Sequence, residues 1–158
     1  MFREIVKKKK IISREECLKI LNEQVRGVIA VQGDDGYPYA SPINFYYDPD
    51  ENMLYFHSAK FGHRVEAMNR CDKVSFCVYD QGYKEEGDWA WIIKSVVIFG
   101  RAEPVTDSAV AEWACRKLSA KFPVSKEETD DEIARSFVAT YVFRVVPEHM
   151  SGKWVREA

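Results

Sequence analysis

Apolar and polar residues alternate with a two-residue period along several stretches of this chain, which is the pattern of strands with one buried face. Within residues 73–79, Val74, Phe76 and Val78 alternate with small or polar residues. Similar stretches rich in β-branched and aromatic residues are Val28–Val31, Tyr37–Tyr47, Met53–Ser58, Trp89–Val105 and Phe137–Val146. The pattern therefore predicts six strands.

Segments whose apolar residues have helical spacing lie between these strands. Ser13 can act as an N-cap and Glu16 completes a capping box, which predicts a helix from Arg14 to about Gln24. Further helical segments are predicted at Gly62–Arg70, at Asp107–Lys121 with an apolar stripe of Val110, Trp113, Ala114 and Leu118, and at Asp131–Ser136 as a single turn. Residues 81–88, which are polar and contain glycine, are predicted to be a loop, and residues 122–130 a connection.

Short turns join consecutive strands, which favours antiparallel pairing. Asp34-Asp35-Gly36 is typical of a hairpin turn, and Asp48–Asn52 predicts a second turn. Pro38 and Pro42 cannot donate to a ladder, so the second strand should have an unpaired or bulged side. Six antiparallel strands without β-α-β alternation indicate a mainly β fold, a small closed or half-open barrel with flanking helices.

Composition narrows the class of protein. A chain of 158 residues with 46% apolar content is expected to form a single domain over residues 1–158. The net charge of −2 gives no reason to expect a nucleic-acid partner, and the run Lys7–Lys10 is interpreted as a solvated arm. No apolar run approaches the ~20 residues of a membrane span, and no signal-peptide pattern is visible. We therefore expect a cytoplasmic protein without a membrane partner.

The cysteines and histidines do not predict a metal site. The cysteines, Cys17, Cys71, Cys77 and Cys115, lie far apart and form no C-x-x-C pair, so reduced thiols are expected. The histidines, His57, His63 and His149, have no known ligand spacing. The sequence also lacks the G-x-S-x-G motif, so it does not indicate a serine hydrolase.

One strand-to-helix junction concentrates polar and cationic residues. It contains His57, Ser58, Ala59, Lys60, His63 and Arg64. A helix N-terminus offers free N–H groups and the positive end of its dipole, so these residues together predict an anion site. Taken singly, each has an ordinary structural explanation, such as a strand-end histidine for His57 or an exposed helix residue for Arg64. The residues alone do not identify the anion.

Asn44 is a second polar feature, since it interrupts the apolar and aromatic strand Ile43–Tyr47. A side chain that both donates and accepts, held near backbone freed by Pro42, would suit the edge of a flat heteroaromatic ring. An ordinary outward-facing asparagine is the alternative.

Four ordered segments resemble a known family. Tyr39–Phe45, Leu54–Lys60, Gly62–Arg64 and Ser95–Glu103 are similar to the pyridoxamine 5′-phosphate oxidase-like superfamily of FMN-binding split β-barrels, and within it to the nitroimidazole-resistance proteins. The resemblance covers residues 13 to 155 approximately. It implies an antiparallel six-stranded split β-barrel with FMN as cofactor.

The resemblance also implies roles for individual positions. The FMN phosphate would lie near Ser58, His63 and Arg64, with His57, Ala59 and Lys60 beside them. The isoalloxazine would lie beside Pro42, Ile43 and Asn44. Ser95 and Val96 would reach the flavin from the second subunit of a homodimer, and Gly152-Lys153-Trp154 resembles the family's C-terminal tail. His63 is the least secure phosphate contact, because relatives often carry Arg-Lys where this chain has His63-Arg64.

The implied activity is that of a flavin-dependent reductase or oxidase of a small molecule. No residue is assigned as an acid or base, because a flavin performs the redox chemistry itself. Oxidation of pyridoxamine phosphate is not favoured, since only Lys153 and Arg156 offer charge near the C-terminus. The alternatives are a non-enzymatic flavin- or haem-binding protein on the same barrel, and an interaction module with an empty pocket.

The long strand 89–105 has one apolar face, formed by Trp89, Trp91, Ile93, Val97 and Phe99. This face is too long for a small core, so it predicts a homodimer with the flavin sites at its interface. The alternative is a monomer that buries the face under the helix Asp107–Lys121.

Overall fold

The computed structural model describes residues 1–157 and contains, within that range, eight strands and four α-helices. The strands are β1 (Arg26–Gln32), β2 (Pro38–Asn44), β3 (Tyr46–Asp48), β4 (Met53–Ala59), β5 (Lys73–Tyr79), β6 (Tyr83–Lys84), β7 (Trp91–Pro104) and β8 (Thr140–Glu157). The helices are α1 (Arg14–Glu23), α2 (His63–Arg70), α3 (Ser108–Ser119) and α4 (Lys126–Ser136). None of these helices is long and apolar enough to cross a membrane, for the residues that the structure describes.

The sheet has the strand order β2-β1-β5-β7-β8-β4-β3, with β6 paired to β7 and all neighbours antiparallel. Its two terminal strands, β2 and β3, are separated in the chain only by Phe45. Asn44 and Tyr46 can therefore be at most about 7 Å apart, so the sheet must curl until its ends meet. This is an antiparallel split β-barrel with flanking helices, which confirms the predicted fold class.

The strand count differs from the predicted six for two reasons. The predicted strand Tyr37–Tyr47 is divided at Phe45, whose N–H donates to Val25 O at 3.3 Å and whose ring is fully buried. The chain thus leaves one edge of the sheet and enters the other. The second reason is β6, which pairs with β7 inside the predicted connection 81–88.

The C-terminal third also differs from the prediction. The turn predicted at Asp131–Ser136 is the end of the longer helix α4, which begins with a capping box between Ser125 and Glu128. β8 begins only at Thr140 and runs to the end of the described chain. Pro147 does not end it, because a register shift opposite Phe99 and Gly100 in β7 accommodates an irregularity there.

The barrel interior is filled by large apolar side chains. They include Ile29, Val31, Phe45, Leu54, Phe56, Phe76, Val78, Val96, Ile98, Phe143 and Val145. α1 begins with the predicted capping box and buries Cys17, Ile20 and Leu21 against this interior. α3 packs instead on the outer face of β4 and β8, against Tyr55 and Val142. Of the stripe predicted for α3, Ala114 and Leu118 are buried, whereas Val110 and Trp113 are only half-buried.

Lys121 lies half-buried just after α3, and its ammonium group contacts the C-terminal end of α1. Its Nζ donates to the carbonyls of Leu21 and Gln24 and lies 4.1 Å from the centroid of the Phe45 ring. Burial lowers the pKa of Lys121 from 10.5 to about 8. A neutral amine retains two N–H donors, so both carbonyls remain satisfied after the proton is lost.

We expect Phe45→Ala to lower the free energy of unfolding by about 3–5 kcal/mol, because it empties the core where the two sheet ends meet. Urea denaturation followed by circular dichroism measures this change. Phe61→Ala is the matched control, since Phe61 is 81% exposed and its removal should change stability by no more than about 0.5 kcal/mol. Equal effects of the two substitutions would contradict the role given to Phe45.

We expect the stability of the protein relative to its Lys121→Met variant to rise with pH between 8 and 10.5, the folded and ordinary pKa values of Lys121. In this window the unfolded chain binds the Lys121 proton more tightly than the folded chain, so raising the pH favours folding. Urea denaturation of both proteins at several pH values gives the difference. A pH-independent difference would show that burial does not destabilise the charged amine.

Candidate cofactor site

The candidate site lies at the split of the barrel, between two strand edges that lack a ladder partner. β2 pairs with β1 alone, and β3 pairs with only residues 53–55 of β4, within the described chain. Residues 56–59 of β4 therefore have a free edge on the side that faces β2, and the two strands are in contact. Free strand edges carry unpaired backbone N–H and C=O groups, which are available to a ligand.

Pro42 indicates which backbone groups of β2 face the split. Alternate residues of an antiparallel strand bond to the same neighbour, and proline occupies positions that need no donor. Phe45, of the opposite parity, donates its N–H to Val25 on the β1 side. The N–H groups of Ala40 and Asn44 are therefore expected to point into the split.

Helix α2 closes one end of this split with an uncapped N-terminus. Its N-cap, Gly62, has a φ of 116°, a conformation that residues with a Cβ rarely adopt. No side chain of the described residues bonds to the first-turn N–H groups. The positive end of the helix is thus available to an anion.

Arg64 supplies the charge at this helix end. Its Nη1 donates to Ser41 Oγ at 3.0 Å, while its Nε is buried and finds no hydrogen-bond partner among residues 1–157. Burial lowers the pKa of Arg64, which shows that the guanidinium is partly removed from water. A buried donor without a partner is costly. An anion in the split would satisfy it, so the residues present fit a phosphate group.

His63 is turned towards a neighbouring turn rather than into open space. Its ring stacks on Tyr39 with centroids 4.2 Å apart, and its Nε2 lies 3.5 Å from Asp34 Oδ2. Arg70 donates to the same carboxylate at 2.7 Å. His63 Nε2 is buried and makes no hydrogen bond among the described residues, so the nearby Asp34 carboxylate would compete with a ligand anion for it.

Two of the predicted ring contacts, Pro42 and Asn44, lie on the outer face of the barrel. Because residues paired across strands point to the same side of a sheet, the row Pro42, Val28, Cys77, Val97 shares one face. Asn44 and Ser95 lie two residues further along β2 and β7, respectively, and so belong to the same face. The structure thus places Pro42, Asn44 and Ser95 on one surface of a single chain.

Two predicted contacts have buried side chains. Val96 is fully buried and Ile43 nearly so, both within the barrel core. Adjacent residues of a strand point to opposite faces, so Val96 cannot share the surface of Ser95. Only the backbone of Ile43 and Val96 is available to a ligand on the outer face.

His57 and Trp154 lie away from Arg64. His57 lines a separate cavity of about 80 Å³ with Cys115 and Glu132, beneath α3 and α4. Burial lowers the pKa of His57, and the Glu132 carboxylate opposes this shift. Trp154 packs against the core near α1, with Lys10 Nζ 4.8 Å from its ring centroid.

The remaining predicted residues lead directly into α2. Ser58 pairs with Tyr141 on the inner face of β4, and its Oγ donates to Ala59 O at 2.9 Å. Ala59 and Lys60 are exposed between β4 and the helix. Ser41, the hydrogen-bond partner of Arg64, was not predicted from the sequence. It lies two residues from both Tyr39 and Ile43, so the alternation along β2 could have placed it on the same face. Among residues 1–157 no cluster of histidine, cysteine or carboxylate side chains could hold a metal ion.

Comparisons with known proteins agree with this fold. The family profile described as pyridoxamine 5′-phosphate oxidase matches residues 13–154. No curated protein matches the sequence.

Solved structures with the same fold include several from bacteria. A candidate 5-nitroimidazole antibiotic resistance protein from Bacteroides thetaiotaomicron is 19% identical with a TM-score of 0.74, and the match covers 94% of this chain and 87% of that one. An FAD-binding protein from Mesorhizobium loti is 25% identical with a TM-score of 0.68, and the match covers 92% and 97%. A flavocytochrome from Azotobacter vinelandii is 20% identical with a TM-score of 0.65, and the match covers 89% and 66%.

Proposed function

The chain belongs to the pyridoxamine 5′-phosphate oxidase family, and from this premise we propose that it binds FMN and acts as a flavin-dependent oxidoreductase on a small molecule. The observation that carries the proposal is the buried, unpartnered Nε of Arg64 at the open end of α2. The FAD-binding protein from Mesorhizobium loti and the flavocytochrome from Azotobacter vinelandii, which share this fold, support the same class of cofactor.

The proposed phosphate contacts are Arg64, the first-turn N–H groups of α2, and the hydroxyl of Ser58. Lys60 adds an exposed positive charge, and His63 contributes only when it leaves Asp34. These groups neutralise a phosphate by charge-assisted hydrogen bonds, which are the stronger kind. Ala59 has a small side chain, so the phosphate can approach the backbone closely.

The proposed ring contacts are Pro42 and Asn44, together with the backbone of Ile43. Asn44 can donate to and accept from the polar edge of the isoalloxazine, which fixes its orientation. Ser95 and the backbone of Val96 would belong to the second chain. We leave His57 and Trp154 out of the site, because they line other parts of the molecule.

A bound flavin supplies the redox chemistry, and the chain supplies position and electrostatics.

The substrate class follows from the charges near the C-terminus. Arg156 forms hydrogen bonds with the Asp88 carboxylate at 2.8 to 3.1 Å, so it is already neutralised. Of the two cations near the C-terminus, only Lys153 is then left for a substrate phosphate, and this favours a small substrate without a phosphate group.

We propose further that the protein is a homodimer with the flavin sites at the interface. Trp91 is 44% and Phe99 38% exposed on the outer face of β7. The predicted alternative, burial of this face under the helix Asp107–Lys121, is wrong, because α3 packs on β3, β4 and β8. A second copy related by a two-fold axis would cover the face and bring its own Ser95 to the flavin.

We expect Arg64→Ala to weaken FMN binding about ten-fold to a hundred-fold, because a charge-assisted bond to phosphate is lost. Binding of riboflavin, which lacks the phosphate, should not change. Flavin fluorescence titrations of both ligands measure the effect.

Asn44→Ala is the matched control for this experiment. It should affect FMN and riboflavin equally, since both carry the same ring. If Arg64→Ala leaves the ratio of the two affinities unchanged, Arg64 does not bind the phosphate. An absorption spectrum with a Soret band and no flavin would favour a haem protein instead.

We expect Val97→Glu to convert the dimer to a monomer and to release flavin, because it places a charge within the apolar outer face. Light scattering gives the mass, and absorbance of the same peak gives the flavin content. Val138→Glu, at an exposed position beside α4, should change neither quantity. A wild-type monomer that carries full flavin would remove Ser95 and Val96 from the proposed contacts across subunits.

A further inference from the structure

Asp48, the last residue of β3, is a buried carboxylate without a counter-ion. It is 7% exposed, and no other charged residue of the described chain is buried to this extent. The N–H of Asp50 donates to its Oδ1 at 3.1 Å, but no lysine, arginine or histidine among residues 1–157 forms an ion pair with it. Aspartate is almost never fully buried unless it is paired, so the charge of Asp48 lacks the partner that its position requires.

Asp48 lines a cavity of about 430 Å³ between the first turns of α3 and the outer face of β3, β4 and β8. The other residues that line it include Glu51, Tyr55, Val110, Trp113 and Arg144. The volume lies within the ~300–1,000 Å³ typical of small-molecule sites. None of these residues belongs to the candidate cofactor site, so the cavity is a separate feature of the molecule.

The cations near this cavity already have partners. Arg144 donates from its Nε to the Glu103 carboxylate at 2.6 Å. Lys117 Nζ lies 5.9 Å from the ring centroid of Trp113, and Lys117 does not line the cavity. The two carboxylates of the cavity are therefore not balanced by a cation of the chain.

Aromatic rings form another part of the cavity wall. Trp113 is half-buried, and its ring stands at 83° to the buried ring of Tyr55, with the two centroids 5.3 Å apart. Cations are attracted to the faces of aromatic rings, most strongly to tryptophan. Val110 adds an aliphatic surface from the same helix as Trp113. A molecule that combines a positive charge with an apolar body therefore matches both parts of the wall.

We propose that this cavity binds a small organic amine in its ammonium form. The N–H groups of the ammonium donate to the carboxylate of Asp48, Glu51 adds a second negative charge, and the apolar body lies against Trp113. Charge-assisted hydrogen bonds of this kind are about twice as strong as neutral ones. This binding function is additional to the proposed flavin chemistry and does not depend on it.

Titration calorimetry on the full chain tests the proposal with two probes of similar shape. Phenylethylamine carries an ammonium group at neutral pH, and phenylethanol is its uncharged counterpart. The amine should bind about ten-fold more tightly than the alcohol, since only the amine can pair with the Asp48 carboxylate. Equal affinities, or no binding of the amine at millimolar concentration, would overturn the proposal.

Asp48→Asn removes the charge but keeps the shape of the side chain and an acceptor for the N–H of Asp50. It should weaken binding of the amine about ten-fold to a hundred-fold and leave binding of the alcohol unchanged. Asp50→Asn is the matched control, since it removes the same charge from an exposed side chain that does not line the cavity. In this control the affinity for the amine should change by no more than about two-fold.

Circular dichroism of each variant separates loss of the site from loss of folding. If Asp48→Asn does not fold, Glu51→Gln takes its place, because Glu51 is exposed and lines the same cavity. This substitution should weaken binding of the amine about two-fold to five-fold. An affinity for the amine that responds to neither substitution overturns the proposal. FMN titrations of the same variants should match the wild type, so failure of the amine site leaves the proposed flavin site intact.

Discussion

The link between the two terminal strands of the sheet is one residue long, and the rest of the architecture depends on it. Because Phe45 alone joins β2 to β3, the sheet curls into a barrel and its ends meet. The ring of this residue fills the core, and its N–H donates to Val25 on the β1 side, away from the split. The terminal strands therefore meet without forming a ladder, and backbone groups remain free in the gap between β2 and β4.

Two half-buried cations show how structure and function can be told apart at this barrel. Lys121 has two carbonyl partners and the face of Phe45, so its environment is complete and its role is to hold α1 in place. Arg64 has one partner, Ser41, and a buried Nε without a partner among the described residues. Burial lowers the pKa of both groups, so the pKa shift alone does not distinguish them. What differs is the unsatisfied buried donor of Arg64, which is costly without a partner, and it is on this difference that the proposed phosphate site rests.

Much of the fold could be predicted from the sequence because local signals are strong where a strand or helix has one buried face. The capping box at Ser13 and the alternation in residues 73–79 both correspond to observed elements with nearly the predicted bounds. The capping box of α4 was equally visible at Ser125, but its helix has no fully buried residue and so no clear apolar stripe. The division at Phe45 could not be predicted locally, since it depends on which distant strands pair with each side.

The sequence indicated which segments contain the candidate site residues, but not which face of the barrel each side chain occupies. Residues adjacent in the sequence were predicted to contact the same ligand, whereas adjacent side chains of a strand point to opposite faces of the sheet. For this reason Ser95 lies on the outer surface and Val96 in the core, and Ser58 faces inward while His57 faces α3 and α4. The N-terminus of α2 is not affected by this alternation, because the free backbone N–H groups of a helix all lie at the same end.

The outer face of the barrel carries the last step of the argument. Its β4 and β8 part is covered by α3, which buries Tyr55 and Val142. The part formed by β2, β1, β5 and β7 has no helix over it, and its central row consists of Pro42, Val28, Cys77 and Val97. At one end of this face Phe2 stacks on Phe99. A planar ring laid there touches protein on one side only. Since ligand sites bury most of their ligand, a ring bound there would need a second wall, and the proposed second copy of the chain would supply it.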